Sequence, residues 1–100
     1  MNALDAIMTA QNPDSLEEQA VAMQIAINNG TAWQMEGSFG RAAMRMIEDG
    51  VCMTGRETRH TIYGSPIPSR FSLQGGTKGT EDFCRVRHPE IVEILLAKGL

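Results

Sequence analysis

Apolar residues recur every three or four positions through the first half of the chain, which is the spacing of a helix. A short pattern of this kind predicts a helix over about residues 2–10, with Asn2 as its cap. A longer pattern predicts a second helix over about residues 13–29, begun by Asn12 and Pro13. The apolar stripe of this second helix consists of Leu16, Ala20, Met23 and Ile27.

A third helix is predicted over about residues 31–49, from the capping residue Thr31 to the stop at Gly50. Gly37 and Gly40 weaken it, by roughly 1 kcal/mol each relative to alanine. They mark either a break near residue 37 or a face that another stretch of backbone approaches closely. We favour the second interpretation, a continuous helix with a close contact.

The pattern changes at residue 51, where β-branched and aromatic residues replace the helical stripes. We predict a short β-hairpin region over about residues 51–73. Its strands are expected at residues 51–54, 61–63 and 67–73. Helical segments are predicted over about residues 80–98, capped by Thr80 and restarted at His88 and Pro89.

The composition fits one α+β domain covering residues 1–100, with 42% of its residues hydrophobic. The N-terminus does not read as a secretory leader, so we expect Cys52 and Cys84 to be reduced thiols. No apolar stretch approaches the roughly 20 residues that span a bilayer, and no membrane partner is expected.

The charge of the chain is uneven, although its net value is only −3. The first forty residues contain no Lys or Arg, and the first basic residue is Arg41. A field of one sign steers partners of the opposite sign and disfavours nucleic acid as the main ligand. The charge pattern therefore offers four carboxylates for contact with a basic partner, namely Asp14, Glu17, Glu18 and Glu36.

The second half of the chain carries the opposite charge and supports an alternative function. Its arginines would let a small regulatory protein contact nucleic acid directly. The residues of this alternative are Arg56, Arg59, Arg70, Arg85 and Arg87.

No motif in the sequence predicts catalysis, a cofactor or a metal. The segment 75–80 lacks the order of a phosphate-binding loop, because Lys78 is followed by glycine. A four-ligand metal site would have to combine two cysteines and two histidines, which do not occur in pairs at the short sequence spacing typical of metal ligands. These residues are Cys52, Cys84, His60 and His88.

Two stretches resemble a known group of proteins. They run from Ala26 to Met44, closing at Ile47 to Gly50, and from Tyr63 to Phe71. Together they resemble small open reading frames carried by phages and mobile elements of proteobacteria. A subset of these are anti-CRISPR proteins, and this chain resembles the inhibitors of the type I-F surveillance complex.

The resemblance implies an inhibitor that acts in the cytoplasm of a bacterial host by occupying a binding surface of its target. Its expected partners are Cas proteins of a type I-F crRNA-guided complex, and it would stop that complex from engaging target DNA. The resemblance supplies no residue motif for the contact, so the four carboxylates named above rest on the charge pattern alone.

Overall fold

The computed structural model describes residues 1–35 and 37–100, and within them the chain forms six helices and a two-stranded antiparallel sheet. The structure is thus mostly helical, and α+β only in a loose sense. In chain order the elements are α1 (Ala3–Gln11), α2 (Leu16–Asn28), α3 (Thr31–Gln34), α4 (Ser38–Glu48), β1 (Arg59–His60), β2 (Pro66–Ile67), α5 (Glu81–Arg87) and α6 (Pro89–Ala97).

The first two helices form where the apolar pattern predicts them, and α1 packs mainly against α2. The predicted start of the second helix at Asn12 and Pro13 is wrong. Helix α2 is capped by Ser15, whose Oγ accepts a hydrogen bond from the Glu18 N–H (3.0 Å). A side-chain cap satisfies an orphan N–H of the first turn, which a proline at the start does not do.

The predicted continuous helix over residues 31–49 is wrong, and the break at residue 37 is what the structure shows. Met35 is extended, and Gly37 has φ +72° and ψ −129°, a conformation that favours glycine and lies outside the helical region. Gly40 lies within α4, and a Cβ there would be 3.7 Å from the Ala32 carbonyl oxygen. The start of α4 is therefore in ordinary van der Waals contact with the main chain of α3.

A hairpin exists in the predicted region, but its strands are shorter and lie elsewhere. Arg59 pairs with Ile67 and His60 with Pro66, while residues 61–65 form the turn. The Thr61 hydroxyl fixes that turn by accepting hydrogen bonds from two main-chain N–H groups, at 3.3 and 3.1 Å. The strands predicted at 51–54, 61–63 and 67–73 are not formed as such.

The C-terminal helices follow their prediction closely. Thr80 caps α5, with its Oγ1 accepting from the Phe83 N–H at 3.3 Å, and Pro89 opens α6. Gly50, after α4, has φ +76°, and a Cβ there would lie 2.8 Å from the Arg87 side chain. Glycine at this position therefore lets the end of α4 meet the end of α5.

The hydrophobic core lies between the helices and the extended segment 51–54, which is buried throughout. Three residues of the α2 stripe enter this core, whereas Leu16 remains 47% exposed. The larger core side chains are Met23, Ile27, Trp33, Phe39, Met46, Ile47, Val51, Met53, Ile91, Val92 and Leu95.

A buried side-chain amide fastens the segment 51–54 to α2. Gln24 is completely buried, and its Oε1 accepts from the Met53 N–H at 2.8 Å. Its Nε2 donates to the Met53 carbonyl and to Asn28 Oδ1, both at 3.0 Å. Gln24 thus supplies the two hydrogen bonds that a neighbouring strand would otherwise give Met53.

Arg70 extends this interior network to the C-terminal end of the chain. It is only 6% exposed, and its Nε donates to the Thr54 carbonyl at 2.8 Å. Its terminal nitrogen donates to Asn28 Oδ1 (3.1 Å) and to the Leu100 main-chain oxygen (2.8 Å). Burial, and secondarily the nearby Arg56, lowers the pKa of Arg70 from its ordinary value.

We predict that Arg70→Met lowers the free energy of unfolding by about 2–4 kcal/mol, because buried acceptors lose their charged donor. Arg56→Met is the matched control. Arg56 is exposed and gives one hydrogen bond to the Gly99 carbonyl, so its loss should cost less than about 1 kcal/mol. Urea unfolding followed by circular dichroism measures both values. Equal losses in the two variants would contradict the structural role of Arg70.

Candidate partner-binding surfaces

The predicted acidic contact lies at the start of α2. Asp14 and Glu17 are exposed, and Glu18 is half-buried. The ion pairs formed among the described residues include none of these three carboxylates. The structure therefore brings Asp14, Glu17 and Glu18 together on one turn, whereas Glu36 lies outside the described residues.

The three carboxylates have different local roles. Glu18 accepts a hydrogen bond from the Asp14 N–H at 3.3 Å, so it helps Ser15 to close the first turn of α2. Asp14 and Glu17 are exposed, and their carboxylates accept no such bond from the described residues. Substitution of Glu18 would therefore mix a change of charge with a change of helix stability.

Glu17 also lines a groove of about 360 Å³ between the start of α2 and the α5–α6 junction. Leu16 forms part of the same wall, and Arg87 and His88 face it from the other side. The Arg87 guanidinium lies 4.6 Å from the Phe83 ring centroid. Glu17 and Glu90 therefore share this groove with the positive charge of Arg87, whereas Asp14 does not line it.

The arginines that the alternative hypothesis assigns to nucleic acid differ in their exposure and in their bonds within the described chain. Arg70 is buried in the interior network, so its predicted contact with nucleic acid is wrong. Arg59 donates to the Asn28 carbonyl at 2.8 Å and lies 3.9 Å from Glu57. Arg56 is bound to the Gly99 carbonyl, as described above.

Arg85 is held between two carboxylates. Its guanidinium pairs with Glu81 at 3.0 Å and with Glu93. The hydrogen bonds to Glu93 and then to Glu81 raise the pKa of Arg85. These partners offset its charge, and phosphate would have to displace them to bind.

The two cysteines are buried and not joined by a disulfide. The Cys84 thiol approaches the Cys52 carbonyl at 3.3 Å, and the Cys52 thiol approaches the Ala20 carbonyl at 3.5 Å. Burial raises the pKa of Cys84 to about 11 and raises that of Cys52 further. Thiols in this state are poor nucleophiles and poor metal ligands.

The two histidines of the metal-site hypothesis lie on different elements of the structure. His60 is exposed on β1, and His88 is at the junction of α5 and α6. Across residues 1–35 and 37–100, no three His, Cys, Asp or Glu side chains are grouped so that they would hold a metal ion.

A second surface, which the sequence reasoning did not single out, is a groove of about 430 Å³ between α4 and the β1–β2 turn. We call it the α4–hairpin groove. The Ile62 N–H ties the turn to the Trp33 carbonyl at 3.1 Å, and Gln34 donates to the His60 carbonyl at 3.3 Å. The large apolar side chains that line the α4–hairpin groove are Trp33, Met35, Met44, Ile62, Tyr63 and Ile67.

Charged residues of α4 border the same groove. Arg41 and Arg45 are exposed and one turn apart, with Glu48 beyond them. Tyr63, at the tip of the turn, is 83% exposed. The sequence signal for the turn itself is Tyr63 followed by Gly, Ser and Pro, which are residues typical of turns.

Comparison with protein-family models, with curated proteins and with solved structures finds no match to this chain. The anti-CRISPR resemblance therefore stays a prediction. None of the helices in the described parts of the chain has both the length and the apolar character needed to cross a membrane.

We predict that the protein loses stability as the pH rises from about 9 towards 11. The Cys84 thiol loses its proton near its ordinary pKa of 9.0 when unfolded but near 11 when folded. The stability that this difference contributes is complete below pH 9 and falls by at most about 1.4 kcal/mol per pH unit above it.

Urea unfolding of the wild type and of Cys84→Ala across this pH range measures the effect. The variant is expected to lose stability less steeply with pH, whatever its absolute stability. Identical slopes in the two proteins would contradict the assignment to Cys84.

Proposed function

We propose that this chain is a non-enzymatic anti-CRISPR inhibitor that binds a type I-F crRNA-guided complex in the cytoplasm of a bacterial host. It acts by occupying the surface that receives target DNA. The observation that carries this proposal is the pair of exposed carboxylates, Asp14 and Glu17, at the fixed start of α2, in a forty-residue stretch without a basic side chain.

Carboxylates are suitable ligands for a surface that normally holds DNA phosphates. Lysine and arginine side chains bind both groups by charge-assisted hydrogen bonds, arginine in a bidentate geometry. A backbone that is already fixed before binding lowers the entropic cost of forming such a contact. The Ser15 cap and the Glu18 hydrogen bond supply that fixed backbone beneath Asp14 and Glu17.

The inhibitor we propose is a shape-specific wedge and not a general mimic of DNA. A net charge of −3 is small for a polyanion, and Arg87 lines the same groove as Glu17. A few well-placed side chains carry most of the binding energy at interfaces of this kind. The contact is therefore expected to involve the first turn of α2 and its neighbours and to require no cofactor.

We predict that the double variant Asp14→Lys/Glu17→Lys binds the complex at least about tenfold more weakly, because two attractive contacts become repulsive. Glu18 is left in place, since it supports the helix start. The matched control is Asp49→Lys/Glu57→Lys, which reverses two exposed carboxylates outside the first turn of α2.

The measurement is co-purification of the tagged protein with a type I-F complex, followed by binding of target DNA to that complex. The wild type and the control should co-purify and abolish DNA binding. A wild type that does neither overturns the proposed function. Full inhibition by a folded Asp14→Lys/Glu17→Lys variant would overturn only the acidic contact.

A further inference from the structure

One helix of this chain exposes an apolar face that the rest of the described structure does not cover. Helix α1 buries Ala6 and Ala10 against α2, while Leu4 and Met8 are 64% and 57% exposed. Leu4 and Met8 are four positions apart and share one face of the helix. Asp5 lies beside them and is exposed as well.

The α4–hairpin groove is the counterpart of this face in shape and in charge. It is mainly apolar, and Arg41, Arg45 and Glu48 border it, so that its charged edge has an excess of positive charge. Neither arginine is ion-paired with any residue that the structure describes. An apolar helix face that carries a carboxylate and no base is the kind of occupant that such a groove favours.

We propose that a second copy of this chain occupies the α4–hairpin groove with the exposed face of its α1, and that the two copies do so reciprocally. Leu4 and Met8 of each copy enter the groove of the other, and Asp5 pairs with Arg41 and Arg45. This proposal goes beyond the inhibitor function and does not depend on it.

A two-fold axis makes this contact self-complementary. Each chain has both halves of the interface, so one rotation forms the contact twice and leaves no unfilled groove. A stable interface removes about 800 Å² from each partner. The reciprocal contact is formed twice, which doubles the area it removes from solvent, and both patches contain exposed apolar side chains, Leu4 and Met8 on α1 and Ile62 and Tyr63 at the groove.

The first experiment determines the molar mass of the purified protein by sedimentation equilibrium over a wide range of concentration. The expected species is a dimer. Leu4→Ser/Met8→Ser should raise the dimer dissociation constant at least about tenfold, because two apolar anchors are lost. The matched control Phe71→Ser/Val86→Ser changes two equally exposed apolar residues outside both surfaces and should leave the dimer intact.

The second experiment tests reciprocity by charge reversal and mixing. Asp5→Arg alone and Arg41→Glu/Arg45→Glu alone should each weaken the dimer, since like charges then meet. A mixture of the two variants should form a mixed dimer, because both of its contacts again join opposite charges. Circular dichroism of each variant verifies that it is folded.

Trp33 reports on the same event, since it is the single tryptophan and lines the groove. Its fluorescence should change with concentration in the wild type but not in Leu4→Ser/Met8→Ser. A protein that is monomeric at every concentration overturns the proposal. So does a dimer unaffected by the α1 variant, a series of larger species, or a mixture of charge variants that remains monomeric.

These outcomes are independent of the inhibitor function, because they are measured on the isolated protein. Loss of CRISPR inhibition with an intact dimer would count against the proposed function alone. A monomer that still inhibits would count against the dimer alone.

Discussion

The fold depends on a small set of interior hydrogen bonds that join α2 to the segment 51–80, whose regular structure is the short β1–β2 pair, and to the C-terminal residue Leu100. Gln24 binds both main-chain groups of Met53, Asn28 bridges to Arg70, and Arg70 binds the Thr54 and Leu100 carbonyls. Buried main-chain groups need partners, and the segment 51–54 has no adjacent strand to supply them. Side chains of α2 and Arg70 supply those hydrogen bonds, so the hydrophobic core packs around a buried polar network.

The composition of the core explains why some large apolar side chains remain outside. Seven buried core residues are alanines, which let the helices approach closely but contribute little apolar area each. Meanwhile leucine, methionine and tyrosine are exposed on α1 and around the α4–hairpin groove. A chain of this size has limited interior volume, and larger side chains on outward faces then become available for contact with other molecules.

The uneven distribution of charge along the sequence is more pronounced in the folded structure. The arginines of the second half are largely occupied by carbonyl and carboxylate partners, whereas Asp14 and Glu17 remain exposed at the start of α2. Arg41 and Arg45 are a separate positive site beside an apolar groove. The described chain therefore has two distinct charged surfaces, one with exposed carboxylates at the start of α2 and one with exposed arginines on α4.

The sequence by itself determined the features that depend on neighbouring residues. Apolar spacing identified α2 and α6, and the Thr80 cap identified the start of α5, because helix periodicity and capping act within a few positions. Only the tertiary structure decided the break at Gly37 and the burial of Gln24 and Arg70. The hydrogen bonds of that interior network join residues between 16 and 72 positions apart, except for one within α2, and no local pattern records them. Whether an arginine is a surface charge or an interior donor depends on which carbonyl groups the completed fold leaves without a partner.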